Sequence, residues 1–390
     1  MPRKSKKNIK RVLLFVETTN MFGRSIVEGV ARYALEHNWI LDFEQRGQYD
    51  PFPEWVQEWN GDGIIARSFH QRSMDVLRSV NLPYVELYGT SRFPADIIVN
   101  ETILGKMVAE HFLSSGLRNF AYYAMEKVSW TLRRYRGFQQ CLSEKGFPCD
   151  FFALPKARSM YLGPQWKESY RIPLKRWLQH LKKPAGLFAA VDLHAKKIME
   201  CCKELGLNVP KDIAVVGVED DPWFCRLLTP SLSSVNANGT DVGYYAASRL
   251  SEKIQSPSAS FAQMLIPPSF LTVRQSSGTI AIEDPDIAEA LAFIRENACH
   301  GIGVSEVMDY TNISLRSLQR GFRKWIDRTP EQEIIRVKIE LAQKLLLETA
   351  LPVAVIAKKA GFSTPEYFAR AFHRECEMTP VMFRKKTSLL

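Results

Sequence analysis

The chain has 390 residues, of which 46% are apolar and 24% charged, a composition typical of a folded globular protein with two or three domains. No apolar run approaches the roughly 20 residues that span a bilayer, so membrane insertion and export are disfavoured. The seven cysteines are scattered and two are adjacent, at Cys201 and Cys202, which does not fit a disulfide framework and favours a reducing cytoplasm.

The net charge of +10 is concentrated at the two ends of the chain. Residues 1–11 hold six Lys or Arg and no acid, and residues 312–390 hold 15 Lys or Arg against eight acids. Residues 283–310, by contrast, hold one Arg and seven acids. Basic segments favour polyanionic partners such as DNA. For residues 1–11 a solvated flexible tail and a direct role in DNA binding both remain open.

From Arg11 to about Val218, short β-rich runs alternate with amphipathic segments of helical periodicity. The first pair is VLLFVE followed by SIVEGVARYALEH, and the last strand-like run is IAVVGVEDD. Strands separated by helices in this rhythm predict parallel sheets with helices on both faces. We therefore expect a basic tail at residues 1–11 and a two-lobed α/β domain at residues 12–275.

The pattern becomes purely helical after RQSSGTIAIEDP, an aperiodic stretch that predicts a linker at residues 276–284. Pro285 is expected at a helix start, with Ile287, Leu291 and Ile294 on one apolar face. Residues 285–390 are predicted to form an all-α domain that contains an approximate internal duplication of a helix-turn-helix pattern.

The first helix-turn-helix unit reads VSEVMDYTNISLRSLQRGFRKW. Ser314 is expected to cap its second helix, in which Leu318, Phe322 and Trp325 share the apolar face. Polar residues at spacings of three and four occupy the opposite face and are available to DNA: Arg316, Gln319, Arg320 and Arg323.

The second unit, VAVIAKKAGFSTPEYFARAFHREC, repeats this plan with a turn at Gly361 and with Ser363 or Thr364 as the helix cap. Phe368 and Phe372 are expected to point inward. The outer face of the helix carries Glu366, Arg370 and Arg374.

A helix predicted from about Glu331 to Glu348 joins the two units and spans roughly 27 Å at about 1.5 Å per residue. Successive major-groove segments on one face of B-DNA lie about 34 Å apart. A connecting helix of this length is therefore of the order needed to place both second helices in adjacent groove segments.

The tail, MDYTNISLRSLQRGFRKW followed by IAKKAGFSTPEYFARAFHRECEMTPVMFR, resembles the DNA-binding domain of the AraC/XylS family over about the last hundred residues. It departs from the family pattern at Glu377, where a Gly is usual, and at His373, Arg374 and Phe383. The resemblance implies base contacts from residues of both units: Arg316, Gln319, Arg320, Pro365, Glu366 and Arg370. It implies phosphate contacts from Arg323, Lys324, Arg374 and Arg384. For any single basic residue, a solvated helix face is the alternative.

About 275 residues at the front resemble the ligand-binding domain of LacI/GalR regulators, which shares its fold with periplasmic sugar-binding proteins. The blocks VLLFVETTNMFGRSIVEGVARYA, RYRGF, GLFAAVDLHA, VPKDIAVVGVEDD and TPSLSSV occur in the family's order. That family carries its own DNA-binding segment ahead of the first strand, where this chain has only eleven residues. The expected fold is an α/β two-lobed periplasmic-binding-protein-like domain followed by an all-α domain with two helix-turn-helix units.

The same resemblance implies a sugar site in the cleft, where polar and aromatic side chains collect at strand ends. The implied ligand residues are Asn20, Phe22, Arg24, Trp130, Arg134, Asp192, Glu219 and Asp220. Relatives more often carry Asn-Asp at positions 191 and 192 and Asp-Asp at positions 219 and 220, a difference that changes which hydroxyls are within reach.

Other roles for these residues remain open. Asp192 and Asp220 could be helix N-caps, Arg24 a surface residue of the first helical turn, and Phe22 or Trp130 core aromatics. Nucleotide-binding, zinc-protease, serine-hydrolase and paired CxxC motifs are missing from the sequence, so no enzyme activity, cofactor or metal is expected.

The expected function is that of a ligand-responsive transcription factor that activates a carbohydrate operon. Its expected partners are double-stranded operator DNA, a sugar such as D-xylose, a second copy of the chain and RNA polymerase. One alternative is an AraC-type regulator whose front domain binds a non-sugar effector or serves mainly for dimerisation. Another, from a different class, is a solute receptor or a sugar-processing enzyme.

Overall fold

The structure, a computed structural model, describes residues 9–47, 50–69, 71–88, 94–125, 128–154, 168–278 and 280–387. The chain divides into two compact units. The first, mainly α/β, comprises Met1–Ala109 and Asn119–Ser277, and the second, mainly helical, comprises Glu110–Arg118 and Gly278–Leu390. Among the described residues, no helix is both long enough and apolar enough to cross a membrane.

Twelve strands are described in the first unit. They are β1 (Arg11–Phe15), β2 (Ile40–Phe43), β3 (Gly63–Ala66), β4 (Tyr84–Glu86), β5 (Ile97–Val99), β6 (Asn119–Met125), β7 (Cys149–Leu154), β8 (Ala185–Ala189), β9 (Ile213–Val218), β10 (Ser233–Val235), β11 (Met264–Ile266) and β12 (Leu271–Thr272). The α-helices that alternate with them are α1 (Met21–His37), α2 (Gln71–Ser79), α3 (Glu101–Ser114), α4 (Ser129–Glu144), α5 (Glu168–His180), α6 (Asp192–Glu204), α7 (Pro222–Leu227) and α8 (Gly239–Gln255).

Two sheets form the two lobes of this unit. One has the order β2-β1-β3-β4, and the other has the order β12-β10-β9-β8-β6-β7, in which β12 alone is antiparallel to its neighbour. A third, two-stranded parallel ladder pairs β5 with β11. Strands β3, β8 and β9 are buried along their whole length, which accounts for their unbroken apolar sequences. The predicted two-lobed α/β fold is confirmed.

Helices α1 and α8 pack closely because glycines lie at their contact. A Cβ atom at Gly29 would collide with the carbonyl oxygen of Thr240, and one at Gly243 would collide with that of Ile26. The pair brings the segment after β1 close to the segment after β10. Both segments line the cavity described below.

The second unit contains seven further α-helices among its described residues: α9 (Pro285–Asn297), α10 (Val304–Thr311), α11 (Leu315–Ile326), α12 (Pro330–Glu348), α13 (Val353–Lys359), α14 (Pro365–Cys376) and α15 (Pro380–Thr387). Helix α9 begins at Pro285 as predicted, with Asp284 as its cap. Ser314 caps α11, and Thr364 rather than Ser363 caps α14. Thus α10 with α11 and α13 with α14 form the two expected helix-turn-helix units.

A buried charge cluster supports this helical unit. The Glu333 carboxylate on α12 is fully buried, 2.7 Å from the guanidinium of Arg336 and within 3.8 Å of those of Arg295 and Arg328. Burial raises the pKa of Glu333, but the charges of these arginines outweigh burial, and the pKa lies below its ordinary value. The cluster ties α9 to α12, because a buried carboxylate requires paired donors.

Candidate functional site

A cavity lies in the α/β unit, where the open space between its walls, including the solvent at its mouth, is about 840 Å³. It is enclosed by residues that follow β1, β3, β4, β8, β9 and β10, together with β5 and the first turns of α3, α4 and α8. Its lining residues are Asn20, Phe22, Arg67, Phe69, Leu87, Tyr88, Ile98, Val99, Glu101, Trp130, Arg133, Arg134, Val191, Val218, Glu219, Ala237 and Val242. The cavity thus occupies the carboxyl ends of the parallel strands, where ligands bind in open α/β sheets.

Arg67 stands among aromatic rings on one side of the cavity. Its guanidinium carbon lies 4.8 Å from the ring centroids of Phe22 and Phe69 and 5.9 Å from that of Tyr88. Its Nη1 donates to Oε1 of Glu17, a buried carboxylate behind the cavity wall. This ion pair and the ring contacts hold the guanidinium in one place.

Arg134 is buried and contacts three residues, Glu101, Ala190 and Trp130. Its Nε donates to Oε2 of Glu101 at 2.8 Å, and its Nη2 lies 2.7 Å from the same oxygen. Its Nη1 donates to the Ala190 carbonyl, and the guanidinium carbon lies 4.8 Å from the ring centroid of Trp130. Arg134 therefore supplies a positive charge at a fixed position in the cavity wall, near the N-terminal end of α4.

Glu219 follows β9 directly and lines the cavity, with a strained backbone and a carboxyl of raised pKa. Its backbone has φ of 118°, a conformation that L-residues rarely adopt. Burial, with the charges of Glu17 and Asp221, raises its pKa to about 7 against the lowering effect of Arg67 and Arg134. Its carboxyl accepts no hydrogen bond from the described residues. It is therefore available to a ligand and changes its charge near neutral pH.

The structure brings five of the eight predicted ligand residues to the cavity wall: Asn20, Phe22, Trp130, Arg134 and Glu219. Asn20 also caps α1, because its Oδ1 accepts a hydrogen bond from the Gly23 amide at 2.8 Å. The aromatic side chains of Phe22 and Trp130 face the cavity and contact the two arginines described above.

The other three predicted residues do not line it. The Arg24 guanidinium is exposed in the first turn of α1 and forms an ion pair with Asp221 at 2.8 Å. Asp192 is buried, where it accepts hydrogen bonds from Ser234 Oγ at 2.5 Å and Cys225 Sγ at 3.5 Å. Asp220 is buried and paired with Arg274 and Thr272.

The N-cap alternative is also wrong for both aspartates. The cap of α6 is Val191, and the cap of α7 is Asp221, whose Oδ1 accepts from the amides of Trp223 and Phe224. Burial and the neighbouring Glu219 raise the pKa of Asp192 well above its ordinary value.

Four polar lining residues were not predicted: Arg67, Tyr88, Glu101 and Arg133. Arg67 follows the buried run GIIA and Tyr88 follows YVE, so both stand at strand ends and the strand-end argument could have found them. Glu101 begins α3 and Arg133 lies in the second turn of α4, and no sequence pattern distinguishes them from surface residues.

The predicted DNA-facing residues lie on two helices of the second unit. On α11 the side chains of Arg316, Gln319, Arg320, Arg323 and Lys324 are exposed, whereas Leu318 and Phe322 on the opposite face are fully buried. On α14 the exposed side chains are those of Pro365, Glu366, Arg370 and Arg374, opposite the buried Phe368 and Phe372. Arg384 on α15 is only half-buried, and its Nε and Nη2 are shielded from solvent, which makes it a poorer phosphate ligand than the others.

Two domain families match the chain: a periplasmic binding protein-like domain over residues 109–277 and a helix-turn-helix domain over residues 307–386. These two domain matches, the cavity and the exposed polar faces of α11 and α14 together define the class of protein. The chain is a ligand-responsive transcription regulator that joins a periplasmic-binding-protein-like domain to a C-terminal AraC-type DNA-binding domain.

The chain is similar over nearly its full length to xylose operon regulatory proteins. It is 26% identical over 384 residues to that of Haemophilus influenzae, covering 96% of this chain and 98% of the relative. It is 27% identical over 391 residues to that of Escherichia coli K12, covering 97% of each. Its structure is similar to that of a xylose-binding transcription activator, with a TM-score of 0.61, 26% identity and coverage of 98% and 99% of the two chains.

Proposed function

We propose that this regulator binds a small sugar, D-xylose or a close relative, and activates transcription of a carbohydrate catabolic operon. The observation that carries the proposal is the presence in one chain of a cavity at the strand ends and two helix-turn-helix units with exposed basic faces. The similarity to a protein described as a xylose-binding transcription activator supports it.

The proposed effector site combines aromatic walls with charged hydrogen-bonding groups. Phe22 and Trp130 offer ring faces to the C–H groups of a sugar, Asn20 and Arg134 offer polar groups, and Glu219 accepts hydrogen bonds from hydroxyls. Such a site favours hydroxylated ligands, because ligands without the hydroxyls leave buried polar groups unpaired.

The proposed DNA interface consists of α11 and α14. Base edges are read by Arg316, Gln319 and Arg320 from the first unit and by Pro365, Glu366 and Arg370 from the second, while Arg323, Lys324, Arg374 and Arg384 contact phosphates. The proposed domain limits are those expected from the sequence, with the effector domain at residues 12–275 and the DNA-binding domain at residues 285–390.

We further propose that the protein works as a homodimer in the cytoplasm and recruits RNA polymerase at its operator. The sugar shifts the population between two arrangements by binding the DNA-competent one more tightly, since a ligand of equal affinity for both would shift nothing.

A thermal-shift screen of the full chain with pentoses, hexoses and deoxysugars tests the effector. A ligand that binds only the native protein stabilises it by RT ln(1 + [L]/Kd), or about 2.7 kcal/mol at 100 times Kd. We expect D-xylose or a close relative to raise the melting temperature and to change affinity for an operator selected from random DNA. A regulator that binds the selected operator but responds to no sugar would instead have a non-sugar effector or a front domain that serves for dimerisation.

A further inference from the structure

Most charged groups of the cavity are paired with one another. Arg67 is paired with Glu17, and Arg134 is paired with Glu101. Two lining groups are left over: the guanidinium of Arg133 and the carboxyl of Glu219. Because these two groups have no ion-pair partner among the described residues, a ligand can supply one.

Arg133 lies on α4 next to Arg134, and its side chain is partly buried in the cavity wall. Its Nε is shielded from solvent and has no hydrogen-bond acceptor in the part of the chain that the structure describes. A guanidinium is always charged, only donates hydrogen bonds and presents a planar fork that matches a carboxylate or phosphate. A shielded donor of this kind requires an acceptor, which a bound ligand can supply.

The surroundings of Arg133 offer little compensation for its charge. Its charge acts to lower the pKa of the Tyr88 hydroxyl, although burial of that hydroxyl raises the pKa overall. The cavity wall also includes the apolar side chains of Phe69, Leu87 and Trp130. The wall carries three arginines, but Glu17 behind the wall neutralises Arg67 and Glu101 neutralises Arg134. Arg133 therefore has no carboxylate paired with it among the described residues, and an anionic group of a ligand can supply one.

We propose that the effector is an acidic sugar derivative, whose carboxylate or phosphate group binds the Arg133 guanidinium while its hydroxyls face Glu219. The inference rests on the proposed function and specifies the ligand class for the same cavity. A neutral sugar can fill the apolar walls, but its hydroxyls form weaker bonds to a guanidinium than an anionic oxygen does.

Isothermal titration of the full chain tests the proposal with matched triplets that share a sugar ring or chain. The compounds are D-xylose, D-xylonate and D-xylose 5-phosphate; D-galactose, D-galacturonate and D-galactose 6-phosphate; and D-glucose, D-glucuronate and D-glucose 6-phosphate. We expect an acidic member of one triplet to bind about tenfold or more tightly than its neutral member, the gain typical of a charge-assisted hydrogen bond. The carboxylate and phosphate arms identify which anionic group is recognised.

The preference is expected to depend on Arg133. The Arg133→Gln variant should lose the acid-to-neutral affinity ratio, whereas Arg133→Lys should keep part of it because the charge remains. Arg136→Gln is the matched control, since Arg136 lies on the same helix and is exposed. Ligand-free melting temperatures of all three variants show whether each is folded, and Arg133→Lys carries the test if the glutamine variant is not.

The outcomes separate this inference from the proposed function. Tight binding of a neutral sugar with no gain from its acid or phosphate would overturn the acidic ligand and leave the sugar-responsive regulator standing. An acid preference that survives in Arg133→Gln would overturn the role of Arg133. If no compound of any triplet binds, both the acidic ligand and the sugar effector are wrong.

Discussion

Glu219 and Glu377 are acidic residues with positive φ angles, 118° and 56°, at two very different places. Glu219 adjoins the cavity at the end of β9. Strained backbone conformations of this kind are common at binding sites. Glu377 follows α14 as its C-cap, with its amide bonded to the His373 carbonyl, at the position where the AraC/XylS pattern has Gly. The departure from that pattern leaves the turn intact and places an L-residue in a left-handed conformation.

The Glu377→Gly variant is expected to be more stable than the parent chain. Left-handed backbone costs an L-residue about 1 to 2 kcal/mol, and the greater freedom of Gly in the unfolded chain offsets part of the gain. We expect the unfolding free energy of the helical unit to rise by about 1 kcal/mol in urea titrations followed by circular dichroism. Glu375→Gly, inside α14, should lower it by about the same amount, and a rise in both variants would contradict the argument.

The charge of Glu219 is expected to make stability depend on pH. Its pKa is raised from 4.5 to about 7 in the fold, so between these values the folded protein holds a proton that the unfolded chain has lost. Stability therefore falls as pH rises through this window and stays reduced above pH 7. The difference in free energy of unfolding between Glu219→Gln and the parent should shift in favour of the variant by roughly 2 to 4 kcal/mol between about pH 4 and pH 8.

Melting temperatures of the parent and the variant at several pH values in this range measure the effect. Glu58→Gln is the control, because Glu58 is exposed in the same unit. A constant difference between Glu219→Gln and the parent would mean that this carboxyl does not titrate near neutral pH.

At the scale of elements, α11 and α14 divide into a buried apolar face and an exposed polar face. Their caps, Ser314 and Thr364, each accept a hydrogen bond from the amide three residues later, at 3.3 and 3.1 Å. Helix α12, of 19 residues, gives the connecting segment a length of about 28 Å, close to that expected from the sequence. Helical periodicity alone therefore accounts for which residues of these two helices are exposed.

The two helices should respond differently to loss of a basic residue. Arg320→Ala is expected to relax base preference at a few operator positions and to cost about 1 to 3 kcal/mol on the specific site. Arg374→Ala should weaken binding to all sequences similarly. It should also reduce the slope of the logarithm of affinity against the logarithm of salt concentration by about one, the value for one lost phosphate contact. Binding measured on selected and random duplexes at several salt concentrations tests both, and an unchanged Arg320→Ala profile would show that α11 is oriented differently.

At the scale of the whole molecule, the helical unit includes a segment from the middle of the chain, Glu110–Arg118. The Ala281 amide donates to the Ser115 carbonyl at 2.8 Å, and Arg118 Nη2 donates to the Trp325 carbonyl at 2.6 Å. The Arg118 guanidinium carbon also lies 5.6 Å from the Trp325 ring centroid. This unit is therefore discontinuous in sequence.

A fragment that begins near Glu283 is expected to fold and to bind DNA weakly without ligand, because its own core of Ile287, Leu291 and Phe322 is retained. It should melt at a lower temperature than the same unit in the full chain, since it lacks the contacts of residues 110–118. Arg118→Ala in the full chain should reproduce part of this loss in calorimetry. A fragment without helical circular dichroism would show that the segment is required for folding.

The α/β lobes, the helical tail and the two helix-turn-helix units could be predicted from the sequence, because periodicity, caps and buried strand runs are local properties. Pro285 and Ser314 could be placed in this way. The five predicted residues that line the cavity were implied by the resemblance to LacI/GalR regulators, and they meet there because strand ends lie at one edge of a parallel sheet.

The direction in which each polar side chain at these strand ends points depends on long-range packing. Asp192 accepts a hydrogen bond from Ser234, 42 residues further along the chain, and does not line the cavity, whereas Arg133 does. Such choices depend on which distant donor satisfies a buried carboxylate, and no local pattern records that partner. For the same reason, the packing of residues 110–118 in the helical unit could not be read from the sequence.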